Sequence, residues 1–460
     1  MKAWLCGLCL IFSSLCLNAQ EQKGQLPEEP QQAMVPKFSY AEYNQPTQIP
    51  DRIALTVSGD SSTTYSVTWR TSELADEPVG EIAKATGGPE FLQQKSTVEA
   101  TTQKLKFRIA DAYYHSVTFE NLEPNTQYLY RVGSGRRFSE WNEFKTAKKT
   151  DDKFSFVYFG DAQNAIKAMW SRVSRRGLRD MPDAAFFLHA GDLVNSADSD
   201  SEWGEWFYAG GWINRSIPIV ATPGNHEYGK NGLSRHWKPN FELPKNGPQG
   251  LEETVYYFDY QGTRFVSLNT NRELEKQVEW LDKVLTNNKS NWTILTGHHP
   301  FYSPAKGRDN SNLRKLFEPV FKKHRIDLCL QGHDHTYART FQTQLNAKYE
   351  DTTGAKHVKN GTVFAVSVSG PKMYSADKKG VMQRVAERTQ LYQLITVERN
   401  QIHYKAMTAT GELYDEFQLV KRNGNIEIVD LTPQTPERRF PPKPAEPQKR
   451  PEPPGPGISK

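Results

Sequence analysis

An all-β sandwich followed by an α/β domain is the fold this chain predicts, on three observations. Between about Ile49 and Lys148, short runs of β-branched and aromatic residues alternate with polar ones and are separated by turn residues. After Lys148 the pattern becomes strand, loop and helix in repetition, which is how a largely buried sheet covered by helices reads. Five strands of that second region run straight into loops carrying carboxylate, amide or imidazole side chains, so the chemistry sits at strand ends.

Taken in order, Met1 to Ala19 has a basic residue at Lys2, an apolar run from Trp4 to Leu17 and small Ala19 at its end, the layout of a signal peptide over 1–19. The mature chain is therefore expected to be secreted or periplasmic, and no later apolar run is long enough to span a bilayer. Cys6, Cys9 and Cys16 leave with the signal, so no intrachain disulfide is expected, and Cys329 reads as a small core hydrophobe. Residues 20–45, rich in Gln, Glu and Pro, read as an extended leader. The sandwich is assigned to 46–148, with strands at Ile53–Val57, Tyr65–Trp69, Lys106–Ile109, Tyr114–Phe119, Gln127–Val132 and Trp141–Phe144, and with Trp69 and Tyr128 in its core. The formal charge of +5 lies largely in Lys2 and in 431–460, which has six basic and three acidic residues. The body between is near neutral and offers no argument for a nucleic-acid partner. With ten prolines and no apolar periodicity, 431–460 is predicted to be a disordered or polyproline-like tail.

The α/β domain is assigned to 152–424. Strands are predicted at Phe154–Phe159, Ala184–Leu188, Ile217–Val220, Thr263–Leu268, Trp292–Leu295 and Ile326–Leu330, and helices at Ala165–Arg179, Glu202–Phe207, Leu274–Asn287 and Asn312–His324. Thr362–Val368, Tyr392–Val397, Ile402–Ala406 and Phe417–Val420 follow without intervening helices and are expected to complete a second, mostly antiparallel sheet. The five loops are Gly160-Asp161, Gly191-Asp192, Gly224-Asn225-His226-Glu227, Gly297-His298-His299 and Gly332-His333-Asp334-His335. One Gly-Asp alone is an ordinary turn. All five in strand-end register predict convergence on the edge of an open sheet, where crevices form. In the last loop, alternate residues of an extended segment point the same way, so both imidazoles can face one pocket. Carboxylate and imidazole without thiolate suit Fe, Mn or Zn.

Over roughly Phe154 to Val420 these motifs resemble those of the calcineurin-like metallophosphoesterase family. In front, Leu122-Glu-Pro-Asn-Thr-Gln-Tyr128 with Trp69 upstream looks like the corner and core tryptophan of a fibronectin type III-like module, so the whole is most similar to the purple acid phosphatases. The resemblance implies a two-sheet sandwich flanked by helices and two metal ions per chain. It implies Asp161, Asp192 and His335 around the first metal and Asp192, Asn225, His298 and His333 around the second, with Asp192 bridging. A hydroxide shared between the metals would then attack a small phosphate ester, with His226 donating a hydrogen bond to the phosphate or a proton to the leaving oxygen. Phosphate monoesters are the first expectation, an acid phosphatase-like activity, and phosphodiesters the alternative. An adhesion or glycan-binding protein with a vestigial metal site is the alternative of another class. The sequence does not speak to oligomeric state.

Asn195 stands where purple acid phosphatases carry the tyrosine that binds Fe(III), so this chain is not expected to be purple. The preference for a trivalent first metal weakens accordingly, and the Asn195 side-chain carbonyl becomes a candidate to orient His226. Gln163 is either a ligand of the first metal or of its water, or a solvated loop residue. His299 and Arg308 are candidate substrate contacts. His189 reads as packed rather than as a ligand, and Trp203, Trp206 and Trp212 as core packing ahead of a wall over the pocket.

Overall fold

The computed structural model describes residues 45–107, 111–346 and 358–439. The predicted signal, nearly all of the leader, Arg108-Ile109 and the tail beyond Arg439 lie outside the described residues.

The first module is a sandwich. Strands Thr101–Lys106, Asp111–Phe119, Tyr65–Thr71 and Asp51–Val57 pair antiparallel in that order. The facing sheet is built on Val79–Lys84 and Gln127–Ser134. Tyr65, Trp69, Val117, Phe119, Tyr130 and Phe144 fill the space between them. At the predicted corner the Tyr128 hydroxyl accepts a hydrogen bond from Glu123 N at 2.9 Å. Ser96–Glu99 and Thr101–Lys106 are almost wholly exposed, so these strands have no apolar alternation to read.

Asp51–Val57 also pairs in parallel with Ile219–Ala221, Thr56 opposite Ile219, so the sandwich and the α/β domain share one sheet. Among the described residues that sheet has eleven strands, with Phe154–Phe159, Phe187–His189 and Ile219–Ala221 adjacent and parallel at its centre. A second sheet of seven strands holds Thr263–Leu268, Trp292–Gly297, Leu328–Gln331 and Val363–Val366 in parallel. The late strands do not together complete a second sheet, as the sequence suggested. Leu391–Glu398 pairs antiparallel beside Phe154–Phe159 and extends the first sheet through Gln401–Thr408 and Leu413–Arg422, whereas Val363–Val366 joins the second. Alternation reports that a strand is half-buried, but not which free sheet edge will accept it.

The two sheets pack face to face on an aromatic layer. Phe265 meets Phe156 and Phe186 edge-on at 5.3 and 5.1 Å between ring centroids, and Phe154 lies 4.8 Å from Tyr260. Each such ring contributes about 1.5–3 kcal/mol by leaving water. Arg339 on the second sheet and Asp415 on the first, both 0% exposed, make a 2.7 Å ion pair across the layer. The predicted helices appear as Asp200–Gly210, Leu274–Thr286 and Ser311–Lys323, while Ala165–Arg179 becomes a π-helical turn Ile166–Trp170 running into Ser171–Asp180. Residues 431–439 are bound to the body rather than free. Thr432 accepts from Arg339 at 2.9 Å, Thr435 from Arg384 at 2.9 Å, and Glu387 N donates to the Arg438 carbonyl at 2.8 Å. Polar side chains make this attachment, so apolar periodicity could not reveal it. No helix among the described residues is long and apolar enough to cross a membrane.

Candidate metal centre

The five loops meet at one place, but across two sheets. Those ending in Asp161, Asp192 and Asn225-His226 leave three strands of the first sheet, and those carrying His298 and His333–His335 leave two of the second. The single sheet edge expected from the sequence is thus a cleft between the ends of stacked sheets. Close approach there requires glycine. A Cβ on Gly224 would lie 2.1 Å from Asp192 Oδ1, and one on Gly191, whose φ is +85°, would lie 2.5 Å from His298 Nδ1. Asp161, Asp192, His333 and His335 themselves adopt φ of +46, +53, +73 and +39°. Left-handed backbone is costly for such residues, and its concentration on four adjacent side chains is a feature of functional sites.

Two overlapping groups result. Ligand atoms of Asp161, Asp192 and His335 lie within 4.8 Å of one another, as do those of Asp192, His298 and His333. Asn225 Oδ1 joins the second group, 2.9 Å from His333 Nδ1 and 3.1 Å from His298 Nε2. Backbone carbonyls set the tautomers. His298 Nδ1–H donates to Ala190 O at 2.8 Å and His335 Nδ1–H to Lys372 O at 3.0 Å, which leaves both Nε2 lone pairs for the cluster. Asp161 and Asp192 are each 1% exposed and, among the described residues, have no Lys or Arg partner. Burial pushes the Asp161 carboxyl well up, and Asp192 adds to this. Burial works to lower His298, but the charges of Asp192 and Asp161 overcome it and raise the imidazole to about 10. Burial and the Lys372 charge take His335 down to about 3. Buried carboxylates that draw positive charge from the nearest imidazole are what a cation site requires.

Glu227, whose role the sequence did not show, fastens this arrangement. Its buried carboxylate accepts from Asp192 N, Leu193 N, Val194 N and Gly224 N at 2.8, 2.8, 3.2 and 2.7 Å, locking two ligand loops together. Burial, then Asp192, raise it to about 7.

The remaining candidates fall as follows. Gln163 is 0% exposed, so it is not a solvated loop residue. Its amide nitrogen is 3.0 Å from Asp192 Oδ2 and 2.9 Å from His335 Nε2, and its buried Oε1 has no hydrogen-bond partner. His226 Nδ1–H donates at 2.6 Å to the backbone carbonyl of Asn195, not to its side chain, which instead accepts from Asn164 at 3.2 Å. The peptide, already fixed by the loop, reaches the ring first. Thr270 Oγ1 lies 2.8 Å from His299 Nδ1 and accepts from His299 N at 2.9 Å. Burial and the neighbouring His298 lower His299 to about 3. Arg308 reaches the site edge, paired at 3.1 Å with Asp334 between the two histidines of the last loop. His189 is packed among Phe159, Trp170 and Trp206, Trp203 and Trp206 are core, and Trp212 is exposed.

Both domains match known proteins. Residues 50–146 match the model of the purple acid phosphatase N-terminal domain, and 154–337 that of the calcineurin-like phosphoesterases. Acid phosphatase type 7 of Mus musculus is 28% identical over 359 residues, covering 69% of this chain and 78% of that protein. The purple acid phosphatase PPD1 of yellow lupin seeds has the same fold, with a TM-score of 0.68 at 19% identity over 82% of this chain and 75% of that one. The orphaned Gln163 oxygen, the unpaired buried carboxylates and the two Nε2 lone pairs fit metal ions. The chain is a metal-binding phosphoesterase with a calcineurin-like phosphoesterase domain over 154–337 behind a purple acid phosphatase N-terminal domain over 50–146.

Proposed function

We propose that this protein is an exported phosphatase hydrolysing phosphate monoesters at a two-metal centre, and that it is not purple. The observation carrying this is the pair of ligand groups sharing Asp192. Asp161, Asp192 and His335, with Gln163 beside them, would hold the first ion, and Asp192, Asn225, His298 and His333 the second. When bound, such a pair supplies Lewis acidity to phosphoryl oxygens and makes water a stronger acid near neutral pH. The protein's own groups do the rest. With Nδ1–H of His226 committed to Asn195 O, the Nε2–H of its imidazolium form is the proton left to pass to the leaving oxygen, the ring ending neutral. His226 N also donates to Asp192 Oδ1 at 2.9 Å, tying the acid to the bridging ligand. A hydrogen bond from the Thr270 hydroxyl to His299 Nδ1 puts the ring proton on Nε2, as a neutral donor to a phosphate oxygen. Asn195 offers no anionic oxygen, so no phenolate–Fe(III) colour arises and divalent ions are accommodated. Export rests on the 1–19 signal pattern.

The test is hydrolysis of an aryl phosphate monoester and diester after loading with Fe, Mn or Zn. Faster monoester turnover, with no visible absorption band on the iron-loaded protein, supports the reading. Preference for the diester, or a purple iron form, contradicts it.

A further inference from the structure

Beside the first ligand group, two loops close into a rim of which the expected chemistry uses only Arg308, as a candidate substrate contact. Segments 302–310 and 370–380 are zipped together by an Ala305–Ala376 bridge and by Lys306 N donating to Ser375 O at 2.9 Å, while Tyr374 N donates to His335 O at 3.0 Å. The Tyr374 ring rests 4.7 Å from the His335 ring. Two cations lie over that tyrosine, the Arg308 guanidinium at 4.8 Å and Lys372 Nζ at 5.6 Å from its centroid. Arg308 is aimed by Asp334, whose carboxylate is 0% exposed and is also held by Ser303 Oγ and Ala305 N. Lys372 is fixed at its backbone, where its carbonyl receives His335 Nδ1–H, and it has no carboxylate partner among the described residues. The rim therefore carries one balanced and one unbalanced positive charge around a half-buried aromatic face, next to a metal ligand.

We propose that Lys372, with Arg308 and Tyr374, forms a second anion subsite, and that the preferred leaving group carries a further anionic group, a carboxylate or a second phosphate. This rests on the phosphoesterase reading of the centre. A planar guanidinium and a mobile ammonium on one ring suit an oxyanion whose position varies with the leaving group. A neutral aryl leaving group gains nothing from Lys372, because it brings no charge to that rim.

The experiment uses the metal-loaded full chain as wild type, Lys372→Gln and Lys372→Arg, with phenyl phosphate, pyrophosphate and phosphoglycolate as probes. The quantity read is the ratio of kcat/KM for each second-anion substrate to that for phenyl phosphate. The ratio is expected to fall about tenfold in Lys372→Gln, the scale of one lost charged hydrogen bond, and to be kept in Lys372→Arg. A fall for pyrophosphate alone names phosphate as the second anion; a fall for phosphoglycolate alone names carboxylate. Ratios unchanged in Lys372→Gln at equal metal content overturn the subsite while leaving the phosphoesterase intact. A wild type that turns over none of the three probes overturns the phosphoesterase reading and the subsite with it.

Discussion

Two of the buried charge clusters among the described residues are solved in opposite ways. At the joint between the sandwich and the α/β domain, Arg52 donates to Asp200 at 2.6 and 3.1 Å, and Arg70 lies 3.6 Å from Asp200 and 2.7 Å from Asp51. There each carboxylate has its guanidinium. At the ligand cluster, Asp161, Asp192 and Glu227 are as deeply buried, yet the cations nearest to them are imidazoles whose tautomers are set for ligation. A balanced cluster holds structure, and an unbalanced one calls for ions from outside. Backbone cost points the same way, with four left-handed ligand residues at the centre and only Arg52 at the joint.

Five substitutions test this contrast. Asp192→Ala removes the ligand common to both groups; phosphomonoester kcat should fall at least about 10³-fold, since two-metal stabilisation is worth several kcal/mol. Steady-state kinetics on the reloaded variant checks it. Asp200→Asn should leave metal content intact but cost about 3–5 kcal/mol of stability, because it takes the carboxylate from the buried Arg52 guanidinium, while Arg70 keeps Asp51. Burial favours protonation of Asp200, but Arg52 and Arg70 prevail and hold it below its ordinary 3.8. Its contribution is thus complete above that pH and drains away as pH falls, so the variant should show a flatter acid limb in urea titrations. His226→Ala should keep both ions and lose about 10²–10⁴-fold in kcat, the usual worth of a positioned acid. Asn195→Ala should stay within about threefold of wild type, because a peptide carbonyl orients the ring whatever side chain follows. A large loss there would restore the side-chain role. Asp161→Asn, unfolded in excess chelator, should gain about 1–3 kcal/mol by deleting an unpaired buried charge, opposite in sign to the joint variant.

Much of this was legible beforehand because strand ends and ligand loops coincide in the chain. The five Gly-containing loops, the order of the α/β strands and the corner at Tyr128 could be read from alternation and from residue type. What escaped depends on partners distant in sequence. Asn195 acts through its peptide, so its side chain was a misleading signal, and Glu227 serves four amides that no spacing encodes. The shared sheet hangs on one pairing between Thr56 and Ile219, far apart in the chain. Exposed strands such as Thr101–Lys106 carry no hydrophobic mark, and the attachment of 431–439 is made by polar groups. Lys372 and Tyr374 lie in a loop without a motif and gain meaning only from their closeness to His335.

The claim underlying all of this is that the unbalanced cluster holds metal. Elemental analysis of the purified full-length protein, after loading with Fe, Mn or Zn and removal of excess ions, tests it most directly when run beside Asp192→Ala. About two ions per chain are expected in the wild type, the number a bridged pair of ligand groups accepts, and fewer than about one in the variant. Wild-type protein that retains no ion under any loading, or a variant that retains as many as the wild type, would contradict it.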